Sequence, residues 1–167
     1  MSTTPEDRNA TIAGGALRAD RAIDLAAFTG CEFPPGSWQG VTQDQIDRFA
    51  SLTGDRNWIH TDMARAAREL DGGRTIVPGQ LLLSLIPALL QEIYVVTGAG
   101  NSRVAGLRSV RFRQPICCGD EFRLHAQLIL VRQRPRFVQV DTDCRLDLRS
   151  GSPAVTAQRT DVFFFPA

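Results

Sequence analysis

The chain has 167 residues, of which 43% are apolar and 22% are charged. This is an ordinary balance for a globular domain that buries its own core. The formal net charge is +1, so no overall field attracts the chain to nucleic acid or to a membrane, and we expect neither as a partner. All 19 basic residues are arginines, so any phosphate contact would be made by guanidinium groups.

The four cysteines have no C-x-x-C spacing and no regular framework, and we interpret them as reduced thiols, with no metal site. They are Cys31, Cys117, Cys118 and Cys144.

The first residues lack the basic and apolar regions of a signal peptide. The most apolar run, Leu81 to Leu90, is too short to cross a bilayer. Together these features predict a cytoplasmic protein.

The N-terminal part of the chain, residues 1–19, is rich in small and polar residues and shows no hydrophobic period. We expect a disordered or loosely packed arm there, followed by a single domain over residues 20–167. The first element of that domain is a short helix over Arg21 to Phe28, which ends at a stretch rich in proline and glycine.

A capped helix is predicted next. Thr42 and Gln45 form a capping box ahead of an apolar stripe, and Gly54 is a natural helix end. A further helical turn or two follows, with Thr61 or Asp62 as its N-cap.

The segment Gln80 to Val96 is apolar on almost every side, which predicts a helix buried in the middle of the protein, kinked at Pro87. After it the hydrophobic period changes to two. Four segments alternate apolar and polar residues, namely AGLRSVRFRQ, EFRLHAQLILVRQ, RFVQVDTDCRLDLRS and AVTAQRTDVFFF. Long strands with one polar face form an antiparallel sheet that is packed on one side. This α+β pattern, a curved sheet wrapped around one long central helix, resembles the hot-dog fold.

The stretch GDRNWIHTD, from Gly54 to Asp62, carries one of the two histidines of the chain. Asp55 and His60 are five residues apart in a predicted loop, and a bent loop can bring a carboxylate and an imidazole together to activate water. Taken alone, Asp55 is better explained as a turn or cap residue and His60 as a hydrogen-bonded structural histidine.

A second feature is Gly79, which lies at the start of the apolar helix and follows Pro78. Free backbone N–H groups at a helix N-terminus can stabilise a developing oxyanion. Taken alone, Pro78 and Gly79 are better explained as a turn that leads into the helix.

Together these stretches, with GLRSVRFRQPICCGDEF, resemble the MaoC-like hydratases, including (R)-specific enoyl-CoA hydratases and their NodN-like relatives. The resemblance extends from about Arg21 to the C-terminus. It implies that Asp55 and His60 are a catalytic dyad that activates water, and that the Gly79 N–H binds the thioester carbonyl. The family usually has a histidine where this chain has Pro78.

Two other residues of the motif, Asn57 and Trp58, are the expected substrate-binding residues. Asn57 falls on the motif amide, which helps to hold the loop, whereas Trp58 read by itself is a core residue. The resemblance also implies a homodimer with the acyl tunnel at its interface, an acyl-CoA substrate and no metal or organic cofactor. Arginines near the tunnel mouth are candidates for phosphate contacts, namely Arg56, Arg103, Arg108 and Arg111. The second histidine, His125, is expected on the polar face of a strand.

The reaction implied is the reversible addition of water to a trans-2-enoyl-CoA to give an (R)-3-hydroxyacyl-CoA. Three alternatives remain open at this stage. The first is a dehydratase acting on acyl-carrier-protein or specialised hydroxyacyl thioesters, and the second is a thioesterase of the same fold. The third is a non-catalytic subunit that binds acyl thioesters, and Pro78 is the feature that favours it.

Overall fold

The computed structural model of the protein describes residues 10–13 and 15–166. Its helices and strands follow in chain order. They are β1 (Ala10–Ala13), β2 (Ala16–Ala19), a 3-10 helix (Ala22–Phe28), β3 (Gln39–Gly40), α1 (Gln43–Thr53), α2 (Trp58–Thr61), α3 (Met63–Glu69), α4 (Gly79–Gln91), β4 (Tyr94–Val96), β5 (Asn101–Phe112), β6 (Glu121–Gln133), β7 (Phe137–Leu148) and β8 (Pro153–Phe164).

The main sheet has five strands in the order β3-β6-β7-β8-β5, and every neighbouring pair is antiparallel. The inward residues of its strands, such as Leu124, Val140 and Val155, join one apolar cluster with Leu82 and Ile86 of α4. All four strands predicted from the period of two are present, and the curved sheet encloses α4 as the sequence predicts. The α+β hot-dog architecture is therefore confirmed.

The central helix is shorter than predicted. It ends at Gln91, and Tyr94–Val96 forms β4, which pairs in parallel with β2. The prediction of one helix from Gln80 to Val96 is therefore wrong beyond Gln91. Aromatic and β-branched residues suit a strand once a partner is available, and β2 supplies that partner from a distant part of the chain. No helix in the described ranges is long and apolar enough to cross a membrane.

The sequence predicts a disordered or loosely packed arm over residues 1–19, of which residues 1–9 and 14 lie outside the described residues. Residues 16–19 contradict it. They form β2, in which Leu17 and Ala19 are 2% and 0% exposed and belong to the apolar core. Backbone pairing with β4 and β1 holds this strand in place, and four residues are too few for their alternation to be recognised in the sequence.

Local capping fixes the helices on either side of the GDRNWIHTD motif. The Thr42 hydroxyl and the Gln45 side chain form the predicted capping box at α1, and Gly54 ends α1 in the left-handed region at φ 72°. Asn57 caps α2, and the carboxylate of Asp62 accepts a hydrogen bond from the Arg65 N–H at the start of α3. Of the two caps proposed for α3, Asp62 is therefore the one observed.

Candidate active site

The loop between α1 and α2 brings Asp55 and His60 together. His60 Nε2 lies 3.7 Å from Asp55 Oδ2, and the side chains are 11% and 38% exposed respectively. The imidazole is thus largely enclosed while the carboxylate still faces solvent. The turn that makes this possible begins at Gly54, whose left-handed conformation suits glycine.

The other ring nitrogen of His60 is held by the backbone. His60 Nδ1 lies 2.6 Å from the carbonyl oxygen of Ile76. A carbonyl only accepts hydrogen bonds, so the neutral ring must carry its proton on Nδ1 and a lone pair on Nε2. That lone pair is on the nitrogen next to Asp55, which is the protonation state a general base requires.

The two oxygens of Asp55 have different surroundings. Oδ1 accepts a hydrogen bond from the Asn57 N–H at 2.9 Å, and the Asp55 N–H donates to the Ala50 carbonyl at 3.0 Å. These bonds fix the carboxylate on its loop. Oδ2 is then the oxygen next to His60 Nε2.

The separation of 3.7 Å between Asp55 Oδ2 and His60 Nε2 is too long for a direct hydrogen bond. Both atoms are acceptors when the ring is neutral, so a water molecule can donate one hydrogen bond to each. Such a water would have one O–H aligned with a base and would be oriented by a carboxylate. The arrangement is suited to removing a proton from water.

Gly79 lies close in sequence to the residue that holds the His60 ring. It is the first residue of α4 and follows Ile76, the hydrogen-bond partner of His60, by three positions. Three residues span at most about 11 Å. Pro78 makes no side-chain hydrogen bond to the first turn of the helix, so the N–H groups there are suited to a carbonyl oxygen that gains negative charge.

The space around Gly79 is limited by a neighbouring aromatic ring. A Cβ atom at this position would lie only 2.6 Å from Cε1 of Phe112, which is on β5. The ring of Phe112 therefore packs directly against the backbone of the helix start, and only glycine fits without movement.

The two predicted substrate-binding residues take part in local structure. The side-chain oxygen of Asn57 accepts a hydrogen bond from the Ile59 N–H at 3.4 Å, which caps α2. The guanidinium of Arg65 lies 3.9 Å above the ring of Trp58. Asn57 therefore holds the loop, as expected of the motif amide, and a contact of either residue with substrate stays a prediction.

An open cavity of about 620 Å³ lies beside Asp55 and is lined by Asp55, Arg56 and Thr61, among others, but not by His60. Of the four candidate arginines, Arg56 is the one on this cavity. Arg108 is 3.2 Å from Asp141, and Arg103 lies over the ring of Phe164. Arg111 donates a hydrogen bond to the neighbouring Val110 carbonyl.

Two residues of this region were missed by the sequence analysis. Gln43 and Thr75 form hydrogen bonds next to His60. Each is an ordinary polar residue far from the motif, and no spacing in the sequence connects them. Among the described residues, no group of three or more His, Cys, Asp or Glu side chains could hold a metal ion.

Comparison with known proteins defines the class to which this fold and site belong. Residues 27–146 match the model of the MaoC like domain, and the chain belongs to that family. The matched range includes the dyad loop, the whole of α4 and most of the main sheet.

Two individual proteins are similar to this chain in sequence. The chain is 38% identical to the 3-hydroxyacyl-thioester dehydratase Z of Mycobacterium tuberculosis over 110 residues, which are 66% of this chain and 72% of that protein. It is 30% identical to Nodulation protein N of Rhizobium meliloti over 143 residues, 83% and 78% of the two chains.

A solved structure shows the same architecture. The (R)-hydratase from A. caviae involved in PHA biosynthesis matches with a TM-score of 0.62 and 26% identity, over 80% of this chain and 94% of that one. R-Hydratase PhaJ1 from Pseudomonas aeruginosa, with a TM-score of 0.64 and 22% identity over 83% and 81% of the two chains, shares the fold.

Proposed function

We propose that this protein is a hydratase that adds water reversibly to trans-2-enoyl thioesters, giving 3-hydroxyacyl thioesters. The observation that carries the proposal is the pairing of Asp55 Oδ2 with His60 Nε2 at 3.7 Å, while His60 Nδ1 is bound to a backbone carbonyl. The family and its hydroxyacyl-thioester dehydratase relative support the same chemistry.

In the hydration direction, the proposed dyad holds one water molecule. His60 Nε2 takes a proton from it as the water oxygen forms a bond to C3 of the enoyl group, and Asp55 stabilises the imidazolium that results. Electron density moves to the thioester oxygen, where the Gly79 N–H and the dipole of α4 stabilise it. The proton then returns to C2, so that H and OH have been added across the double bond.

The (R) configuration and the thioester carrier are finer parts of the proposal. The (R) assignment is supported by the names of the hydratases that share the fold. For the carrier we propose coenzyme A, with Arg56 as the phosphate contact, because Arg56 lines the same open cavity as Asp55 and a guanidinium fork suits phosphate. We propose a cytoplasmic location, in keeping with a soluble acyl-CoA substrate.

We also propose a homodimer built through β5. This strand is 12 residues long and lies at the edge of the main sheet. It exposes large apolar side chains, with Val104 49%, Leu107 40% and Phe112 51% exposed. A long apolar edge strand is a site for strand pairing, and the same edge of a second copy would cover it with two-fold symmetry. Leu107→Arg should shift the mass measured by light scattering from dimer to monomer, whereas an unchanged dimer mass would exclude this edge.

The activity itself is tested by following the loss of enoyl-thioester absorbance with crotonyl-CoA. We expect wild type to hydrate this substrate and Asp55→Asn to hydrate it at least about 100-fold more slowly. Asp62→Asn is a matched control, because it removes a carboxylate of the same motif while asparagine keeps the helix cap. Equal rates for wild type and Asp55→Asn would reject the dyad, and absence of turnover on any enoyl chain length would reject hydration.

A further inference from the structure

We propose that Gln43 and Thr75 are positioning residues that hold His60 at the distance from Asp55 that the reaction requires. This inference rests on the proposed function. The Gln43 side chain donates from Nε2 to the His60 carbonyl oxygen at 2.8 Å. Its Oε1 accepts a hydrogen bond from the Thr75 hydroxyl at 2.5 Å.

The Gln43 amide has every hydrogen-bonding group engaged. Besides the His60 carbonyl, Nε2 donates to Asp47 Oδ1 at 2.8 Å, so both N–H groups and the oxygen have partners. Gln43 is the first residue of α1, where the Thr42 cap fixes the backbone. A saturated amide on a capped helix end is a rigid support, because moving it breaks several hydrogen bonds at once.

Thr75 connects this support to the imidazole ring. It is 2% exposed, and the next residue, Ile76, provides the carbonyl that accepts from His60 Nδ1 at 2.6 Å. The Ile76 N–H donates to the Ile59 carbonyl at 2.9 Å. The segment that carries Thr75 and Ile76 thus runs directly beside the backbone of α2.

These contacts close a loop of hydrogen bonds around His60. Its backbone carbonyl is tied to Gln43, Gln43 is tied to Thr75, and the residue after Thr75 is tied to the His60 ring. The ring can therefore move relative to its own backbone only if this loop is broken. Since a displacement of about 1 Å in a catalytic group can cost about 100-fold in rate, the loop should matter for turnover.

The hydrogen bonds from Gln43 to Thr75 and from His60 to Ile76, here called the bridge, also control which nitrogen of His60 carries the proton. The lone pair on Nε2 depends on the hydrogen bond from Nδ1 to the Ile76 carbonyl. The backbone of this segment is also bonded to Ile59, Ile116 and Cys118, so loss of the Thr75 hydroxyl removes its side-chain link to Gln43, and we expect the His60 ring to be held less tightly in one orientation and tautomer. We therefore expect an effect on kcat more than on KM, because these hydrogen bonds act on the position of His60.

The test compares Thr75→Val, which keeps the shape and removes the hydroxyl, with Thr75→Ser, which keeps the hydroxyl. We expect Thr75→Val to lower kcat for crotonyl-CoA about 10-fold or more with KM within about 2-fold, and Thr75→Ser to stay within about 2-fold of wild type. Gln43→Met, which keeps the length without the amide, should behave like Thr75→Val. Thr97→Val is the control, since its hydroxyl contacts Ala19 and Asp20, far from the dyad in sequence.

A second measurement does not depend on turnover. The ¹⁵N signals of the His60 ring, assigned with the help of His125→Gln, should report an Nδ1–H tautomer in wild type and Thr75→Ser, and a mixture in Thr75→Val and Gln43→Met. Unchanged ring signals and kcat in both of these variants would overturn the proposal. If Thr75→Val does not fold, Gln43→Met decides. If wild type hydrates nothing but the tautomer still depends on Thr75, the proposed function fails while the bridge stands.

Discussion

The two histidines of the chain make an instructive comparison, because both lie beside carboxylates. His60 is 3.7 Å from Asp55, and His125 on β6 is 3.4 Å from Asp147 and 3.7 Å from Glu32. A cavity borders each region, about 620 Å³ beside Asp55 and about 420 Å³ beside His125. Proximity to an acid and to a cavity therefore does not distinguish them.

What distinguishes them is how each ring and each acid is held. His60 Nδ1 is bound to a backbone carbonyl, whereas Nε2 of His125 is buried without a hydrogen-bond partner among the described residues. Asp147 is also engaged by Arg145 at 2.9 Å, so it belongs to an ion-pair cluster on the polar face of the sheet. The comparison indicates that a fixed tautomer and an uncommitted carboxylate oxygen define the candidate site.

The largest expected difference is in catalysis. His60→Gln should lower the hydration of crotonyl-CoA by about 100-fold or more, because it removes the base. His125→Gln should leave the rate within about 3-fold, because Nε2 of that ring has no hydrogen-bond partner in the part of the chain that the structure describes. The measurement is kcat/KM for both variants side by side, and a large loss in His125→Gln would reverse the assignment of the two regions.

A second prediction concerns Gly79, which starts α4 three residues after the hydrogen-bond partner of the His60 ring. Because a Cβ there collides with Phe112, the comparison is made in a Phe112→Ala background. Adding Gly79→Ala keeps the N–H, whereas Gly79→Pro removes it at a helix position that tolerates proline. We expect the proline variant to be about 100-fold slower than the alanine variant.

Equal rates in those two double variants would show that Gly79 serves only to make room for Phe112. Helix content from circular dichroism is the control, since both variants must retain α4 for the rates to be compared.

A third prediction contrasts the two acids in stability. Asp147 is 6% exposed and contacts both Arg145 and His125, so Asp147→Asn should lower the free energy of unfolding by about 1–3 kcal/mol. The rate at which the Asp147→Asn variant hydrates crotonyl-CoA should change little. Asp55→Asn should show the opposite result, with a large loss of rate and little loss of stability in urea unfolding. Parallel losses in both quantities would remove the distinction between the regions.

The smallest expected effect is in the reactivity of a thiol on β7, the strand that carries Arg145 and Asp147. Burial raises the pKa of the Cys144 thiol to about 12, because a buried thiolate is poorly solvated. The thiol therefore stays protonated throughout the neutral range. Cys31 is exposed and should react with iodoacetamide in the native protein, while Cys144 should react only after unfolding. Mass spectrometry of labelled peptides measures both, and native labelling of Cys144 would show that the sheet opens.

Features encoded by neighbouring residues were predictable from the sequence. The capping box at Thr42 and Gln45, the helix end at Gly54 and the cap at Asp62 are all observed. So are the four long strands, because a period of two over ten or more residues is typical of strands. Buried residues alternate with less buried ones in β6 and β8, whereas β5 is exposed along most of its length. The dyad residues were singled out by a short motif and lie side by side, although their role in catalysis stays a proposal.

The remaining features depend on partners that are distant in sequence. The end of α4 at Gln91 and the burial of Leu17 follow from the pairing of β2 with β4. The contact of Phe112 with Gly79 and the bridge from Gln43 to Thr75 join segments more than 30 residues apart. Local pattern determined which residues could form helices, strands and caps. Only the tertiary structure decided which of them meet, because non-local contacts form only when the whole chain packs around α4.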